Sequence, residues 1–237
     1  MYDDFRSPRP PQGLSNPDGP EYRPERNWSE VWITAVTSPN LETYQDLIRD
    51  QNIDLSRSVI WVYLVSIATS ILAGLSQIIF GGFNQSLNAS LNNTNSSAST
   101  ADPAGFGMIQ IICSPLLALI AVAFWLLLVA IYHFVAGSLL GGTGKFDELA
   151  FALAAYQAPL NLAMAALSFI PLVGSCLALP LLVYQMFLAV VSINAVHDFG
   201  WGKAVLTYFL PLILLVICLV SCIVVFIIAL AGASTSP

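Results

Sequence analysis

The side chains that could do chemistry within the apolar parts of this chain are few and neutral. Tyr132, His133, Tyr156, Gln157 and Asn161 form the leading set, with Gln77, Gln110, Tyr184, Gln185 and Asn194 elsewhere in similar surroundings. Proton and ion pumps ordinarily carry ionisable groups at such places, and no Asp, Glu, Lys or Arg accompanies these residues within their runs. Proton-coupled transport is therefore disfavoured. Neutral polar groups in lipid must find hydrogen bonds inside a bundle. Joining helices is their default use, at roughly 0.6 to 2 kcal/mol each; lining a small polar site is the other. His133 has no second histidine nearby in sequence and reads as a packing residue. Cys218 and Cys222 share a helix face, but two thiols without further ligands are a poor metal site. No nucleophile–base pair or metal set is visible, so neither an enzyme nor a cofactor is expected.

The segment Gly141-Gly142-Thr143-Gly144-Lys145 has the look of a phosphate-binding loop. It departs from the pattern at both ends: Leu139 stands where the first glycine belongs, and Phe146 where Ser or Thr belongs. It reads as a flexible turn, with Asp147 and Glu148 suited to the positive end of the helix that follows.

The elements that position these residues follow from composition. Of 237 residues, 57% are hydrophobic and 9% charged, against about 25% charged in soluble domains. Lipid must be the main solvent. No basic tract points to nucleic acid. Five runs are long enough to cross a bilayer: 58–80, 115–140 after a short lead-in, 149–169, 177–196 and 204–231. Residues 81–105 read as a polar loop. Its matches to the glycosylation pattern at Asn84, Asn88, Asn92 and Asn95 look compositional. All eight basic residues fall on one side if the chain crosses five times with its N-terminus in the cytoplasm, Lys145 and Lys203 being the independent tests. The C-terminal residues 232–237 are then external.

Residues 1–27 are rich in proline and charge and read as a disordered cytoplasmic tail. Residues 28–57 carry two apolar stripes at helical spacing, on Trp28, Val31, Trp32, Ala35 and Val36 and on Leu41, Tyr44, Leu47 and Ile48. Ser38 is expected to cap the second helix, with Pro39 opening it. These two short amphipathic helices either lie in the headgroup layer, anchored by Trp28 and Trp32, or pack on the cytoplasmic end of the bundle. Trp201 is a third expected interface anchor. Small residues four apart, Ser66, Ser70 and Gly74 in the first span and Ala150, Ala154 and Ala158 in the third, predict close packing of those two spans. Pro159 interrupts the third span.

The stretches Gly142-Thr143-Gly144-Lys145-Phe146, Ala155-Tyr156-Gln157-Ala158-Pro159-Leu160, Ile170-Pro171-Leu172-Val173-Gly174 and Ala195 through Val205, in that order and spacing, resemble the YIP (Ypt/Rab-interacting protein) domain family. The segment from Thr37 to Tyr44 is similar to the one preceding the first span in its prokaryotic-type members. The resemblance implies five spans and a cytoplasmic N-terminus. Eukaryotic members bind prenylated small GTPases and one another in vesicle trafficking. The Asp-Leu-Tyr-Gly-Pro signature of those members is missing here, and the polar tail and Asn/Ser-rich loop look bacterial or archaeal. The expectation is an all-α, multi-pass integral membrane protein, of the cell membrane if prokaryotic. Its expected role is a non-enzymatic scaffold or adaptor with the bilayer as one partner. Proteins recruited through the N-terminal region, or further copies in a homo- or hetero-oligomer, would be the others. The alternative is a small transporter or channel built on the neutral polar set.

Overall fold

The computed structural model describes residues 26–49, 53–92, 102–170 and 173–214, with isolated positions at 217 and 221. The expected disordered tail up to residue 25, much of the loop before Asp102, the span beyond Leu214 and the external C-terminus lie outside the described residues. Eight α-helices are described: α1 Trp28–Thr37, α2 Leu41–Leu47, α3 Leu55–Asn92, α4 Pro103–Ile112, α5 Ser114–Phe134, α6 Phe146–Leu167, α7 Val173–His197 and α8 Trp201–Leu214. A π-helical turn, Val135–Leu139, continues α5. Four stretches are long and apolar enough to cross a membrane, namely Leu55–Phe83, Ser114–Leu139, Phe146–Leu167 and Cys176–His197, and α8 is a shorter apolar helix. The protein is an all-α, multi-pass integral membrane protein.

Helix α6 is the axis, packed by α1, α3, α5 and α7. Every residue from Leu149 to Tyr156 is buried, and so is every residue from Leu188 to His197 of α7. Alanines at 150, 152, 154, 155 and 158 let four neighbours approach one helix, since a small side chain keeps the axes close. The far half of the bundle is looser. Phe106, Ile109 and Ile112 of α4 and Leu179, Leu182 and Val183 of α7 are exposed, as suits surfaces whose solvent is lipid.

Three local readings change. Helix α3 does not stop at Phe80 but runs on to Asn92. Its 38 residues make a rod of about 57 Å, against a hydrocarbon core of about 30 Å. From Gly81 to Asn92 there is no proline, and the glycines, asparagines and serines disfavour helix by no more than about 1 kcal/mol each. Helix α2 starts one residue beyond Asn40, not at Pro39, because the Asn40 side chain accepts the Thr43 N–H at 2.6 Å and takes the cap. Gly74 serves α4 rather than α6. A Cβ there would lie 2.8 Å from the Gly107 carbonyl oxygen, and one on Gly107 would lie 2.6 Å from the Gly74 oxygen. The two glycines let the α3 and α4 backbones approach, and Gln77 donates to Gln110 beside them at 3.4 Å. Helices α3 and α6 do pack together, with Ala150, Ala154 and Ala158 buried between neighbours.

Candidate functional site

Midway along the spans a polar contact joins α5 to α6. Trp125 Nε1 donates to Gln157 Oε1 at 2.7 Å, and Gln157 Nε2 donates to the Tyr156 hydroxyl at 3.3 Å. One turn further on, Gln185 of α7 donates to Asn161 at 3.0 Å. Each of these groups would cost a lost hydrogen bond in an apolar surrounding if left alone; here they satisfy each other across three helices. Small cavities flank the Trp125–Gln157 contact. One of about 160 Å³ is bounded by Val62, Ser66, Thr69, Trp125, Gln157 and Asn161. The other, of about 190 Å³, is bounded by Trp125, Tyr132, Tyr156, Gln157, Gln185 and Tyr208. Tyr132 stacks on Tyr208 of α8 with ring centroids 5.7 Å apart.

Four of the five residues singled out from sequence, Tyr132, Tyr156, Gln157 and Asn161, thus meet around these cavities. His133 does not. Adjacent positions on a helix point about 100° apart, and His133 turns away to meet Phe146 and His197, with ring centroids 5.9 and 5.5 Å distant. Trp125, Gln185 and Tyr208 complete the site. Nothing in the spacing of Trp125 or Tyr208 along the sequence pairs them with α6.

The His133–His197 pair marks the end of the bundle where the glycine loop lies. Gly144 N–H donates to His197 Nδ1 at 3.2 Å, so this nitrogen acts as an acceptor. The loop lies too close to α7 for side chains. A Cβ on Gly142 would come within 2.7 Å of His197 Nδ1, and one on Gly144 within 2.4 Å of the Val196 carbonyl oxygen. The glycines are there for close approach, not for phosphate. Gly141 adds a positive φ of 75° that closes the turn. Glu148 accepts the Lys145 N–H at 3.2 Å, tying down the start of α6. Lys203 reaches the Leu140 carbonyl at 3.0 Å from α8. Sequence distance hid the second histidine: His197 lies 64 positions after His133. Among the described residues, no group of three or more His, Cys, Asp or Glu is placed to hold a metal.

The same end carries an aromatic dock. Trp61 of α3 is fully buried and meets Trp28 and Trp32 edge-on, both at 5.8 Å, and Phe151 at 5.3 Å. The Arg57 guanidinium sits 5.0 Å from the Trp61 ring and donates to the Arg26 carbonyl. Arg26 in turn pairs with Asp46 of α2. Val31, Ala35, Tyr44 and Leu47 are buried against α6 and α7. Tyr44 donates to Ala35 O at 3.0 Å. Of the three expected anchors, Trp28 and Trp201 are about half exposed, and Trp32 is partly covered. Trp201 stacks on Phe187.

Residues 33–231 match the model of the Yip1 domain, from within α1 to beyond the described part of the last apolar run. The chain belongs to the Yip1 domain family. No curated protein and no solved structure matches it. The Yip1 match begins inside α1, so it takes in most of the docked N-terminal pair as well as the spans. Within the Yip1 domain the glycine loop, the polar contact and the histidine at the end of α7 therefore belong to one unit.

Proposed function

We propose that this Yip1-domain protein is a non-enzymatic membrane scaffold of the prokaryotic type. It would cross five times, with its N-terminus in the cytoplasm and its C-terminus outside, and would recruit protein partners through the N-terminal region. One observation carries the reading. Helices α1 and α2 are sealed onto α6 and α7 by Val31, Ala35, Tyr44 and Leu47, yet keep Trp28, at the outer end of α1, exposed at 44%. That is a fixed platform, held where the polar N-terminal segment enters the bundle. Charge placement supports the orientation, since Lys145 and Lys203 lie together at the loop end of the bundle.

The test is capture of partners from native membranes by the tagged full chain and by two variants, one lacking residues 1–25 and one carrying Trp28→Ala. Partners held by the platform should be lost from at least one variant while the bundle still purifies as a folded protein. Identical partner sets from all three would refute recruitment through this region. Tags at Met1 and Pro237 should be reachable from opposite compartments.

The two cavities beside Gln157 favour a second reading, a small transporter or channel with a neutral polar site. At about 160 and 190 Å³ both fall below the roughly 300 Å³ of ordinary ligand pockets, which ranks this reading second. Flux of a small solute into vesicles that is abolished by Gln157→Leu would reverse the order.

A further inference from the structure

The face of α1 next to the one that seals the bundle does not close against α6. Ser29, Trp32, Ile33, Val36 and Thr37 recur at helical spacing and face Pro159, Leu160 and Ala163 across an open groove of about 350 Å³. Its walls are almost wholly apolar. The one hydroxyl toward its deep end, that of Thr37, is spent on the Ile33 carbonyl at 2.8 Å. Depth decides what can fill such a groove. Pro159 and Ala163 lie about 20 and 26 Å along α6 from Phe146, at 1.5 Å per residue. That leaves them about 6 to 12 Å short of Leu167, inside any placement of a 30 Å hydrocarbon core on this span. The tip of the α1–α2 pair reaches the same depth: Tyr184, near the middle of α7, donates to the Val36 carbonyl at 2.5 Å. Helix α1 therefore descends beside α6 rather than lying flat at the surface.

We propose that this groove is a binding site for one acyl chain of a bilayer phospholipid. Size favours a chain over a helix. Three turns of helix 10 Å across fill on the order of 1,300 Å³, several times the space present. Covering Ile33 and Trp32 with hydrocarbon while the acidic Glu30 and Glu42 lie outside the groove suits a lipid whose headgroup stays at the interface. The inference needs only that α6 spans the bilayer. It does not depend on which partners, if any, the protein recruits.

Two measurements on the full chain test it. The first uses Thr37→Cys in a background with the four native cysteines replaced by alanine, labelled with a small fluorophore and reconstituted in phosphatidylcholine vesicles. Spin-labelled lipid bearing its nitroxide deep in the chain should quench the probe more than lipid labelled near the headgroup, and aqueous iodide should quench it little. The second is native mass spectrometry of the gently delipidated protein. Wild type should retain one phospholipid that Ala163→Phe loses, at unchanged secondary structure. Ile33→Phe, at an exposed position that tolerates bulk, is the second groove-filling variant should the first misfold. Dominant iodide quenching, or equal lipid retention in wild type and a folded groove-filling variant, would overturn the proposal. So would a cross-link from the Thr37→Cys site to another polypeptide in place of lipid.

Discussion

Adding one methyl group at Gly144 should cost this protein about 2 to 4 kcal/mol, although glycine-to-alanine changes elsewhere tend to stabilise. The alanine Cβ would lie 2.4 Å from both the Val196 carbonyl oxygen and Val196 Cγ1, where ordinary contact begins at 3.4 Å. Loop and helix must part by about 1 Å. The oxygen belongs to a helix backbone buried on all sides, so the loop has to lift. Overpacking of this kind costs about 1 to 3 kcal/mol. Lifting also breaks the Gly144 N–H bond to His197, whose net worth is about 0.5 to 1.5 kcal/mol. Gly82 is the control. It lies within α3, and a Cβ there meets nothing within 4 Å. Gly82→Ala should therefore stabilise by about 0.5 to 1 kcal/mol through helix propensity alone. Both variants can be unfolded in mixed micelles by raising the fraction of denaturing detergent, with tryptophan fluorescence as the readout. Opposite signs are expected. A Gly144→Ala protein within about 0.5 kcal/mol of wild type would refute the claim that this loop is glycine-rich because α7 leaves no room.

Four further outcomes follow from the same geometry. Gln157→Leu should destabilise by about 1 to 2 kcal/mol in the same assay, because the largely buried Trp125 N–H loses its acceptor. Trp61→Ala should cost about 3 to 5 kcal/mol and make the segment before α3 sensitive to added protease, since Trp28 and Trp32 lose their dock. Ala154→Leu should cost more than Ser70→Leu, as Ala154 is fully buried and Ser70 only partly covered; equal effects on thermal stability in detergent would contradict the packing described. Asp54 accepts both the Ser56 N–H and its hydroxyl, which holds its carboxyl below the ordinary value. Its contribution to the start of α3 is then fully present above the ordinary carboxylate pKa and lost as pH falls through the lowered one, a titration that carbon-13 shifts of a labelled Asp54 carboxyl would follow.

How much of this was readable in advance varied with the range of the force involved. That the chain holds several long apolar helices comes from local composition, and four helices long and apolar enough to cross a membrane, with one shorter one, are present among the described residues. The extension of α3 to Asn92 was not readable, because Asn- and Ser-rich sequence has only a weak preference against helix and its neighbours decide. The polar set around Gln157 was legible as a class: uncharged hydrogen-bonding groups stranded in apolar runs must converge. Their partners were not, since Trp125 and Tyr208 carry one polar atom each on a large apolar body. His133 was placed with the wrong neighbours because adjacency in sequence is divergence on a helix.

The amino-acid sequence by itself determined that lipid is the main solvent of this chain, that it holds several long apolar helices, and which neutral side chains need hydrogen-bond partners, because hydrophobicity and unsatisfied hydrogen bonds are properties of short stretches. Only the tertiary structure decided that His197 closes over the glycine loop, that Gly74 meets Gly107, and that α1 stands beside Pro159 with a groove between them. Those pairings join residues tens to more than a hundred positions apart, and distance along a chain carries no record of which faces will touch.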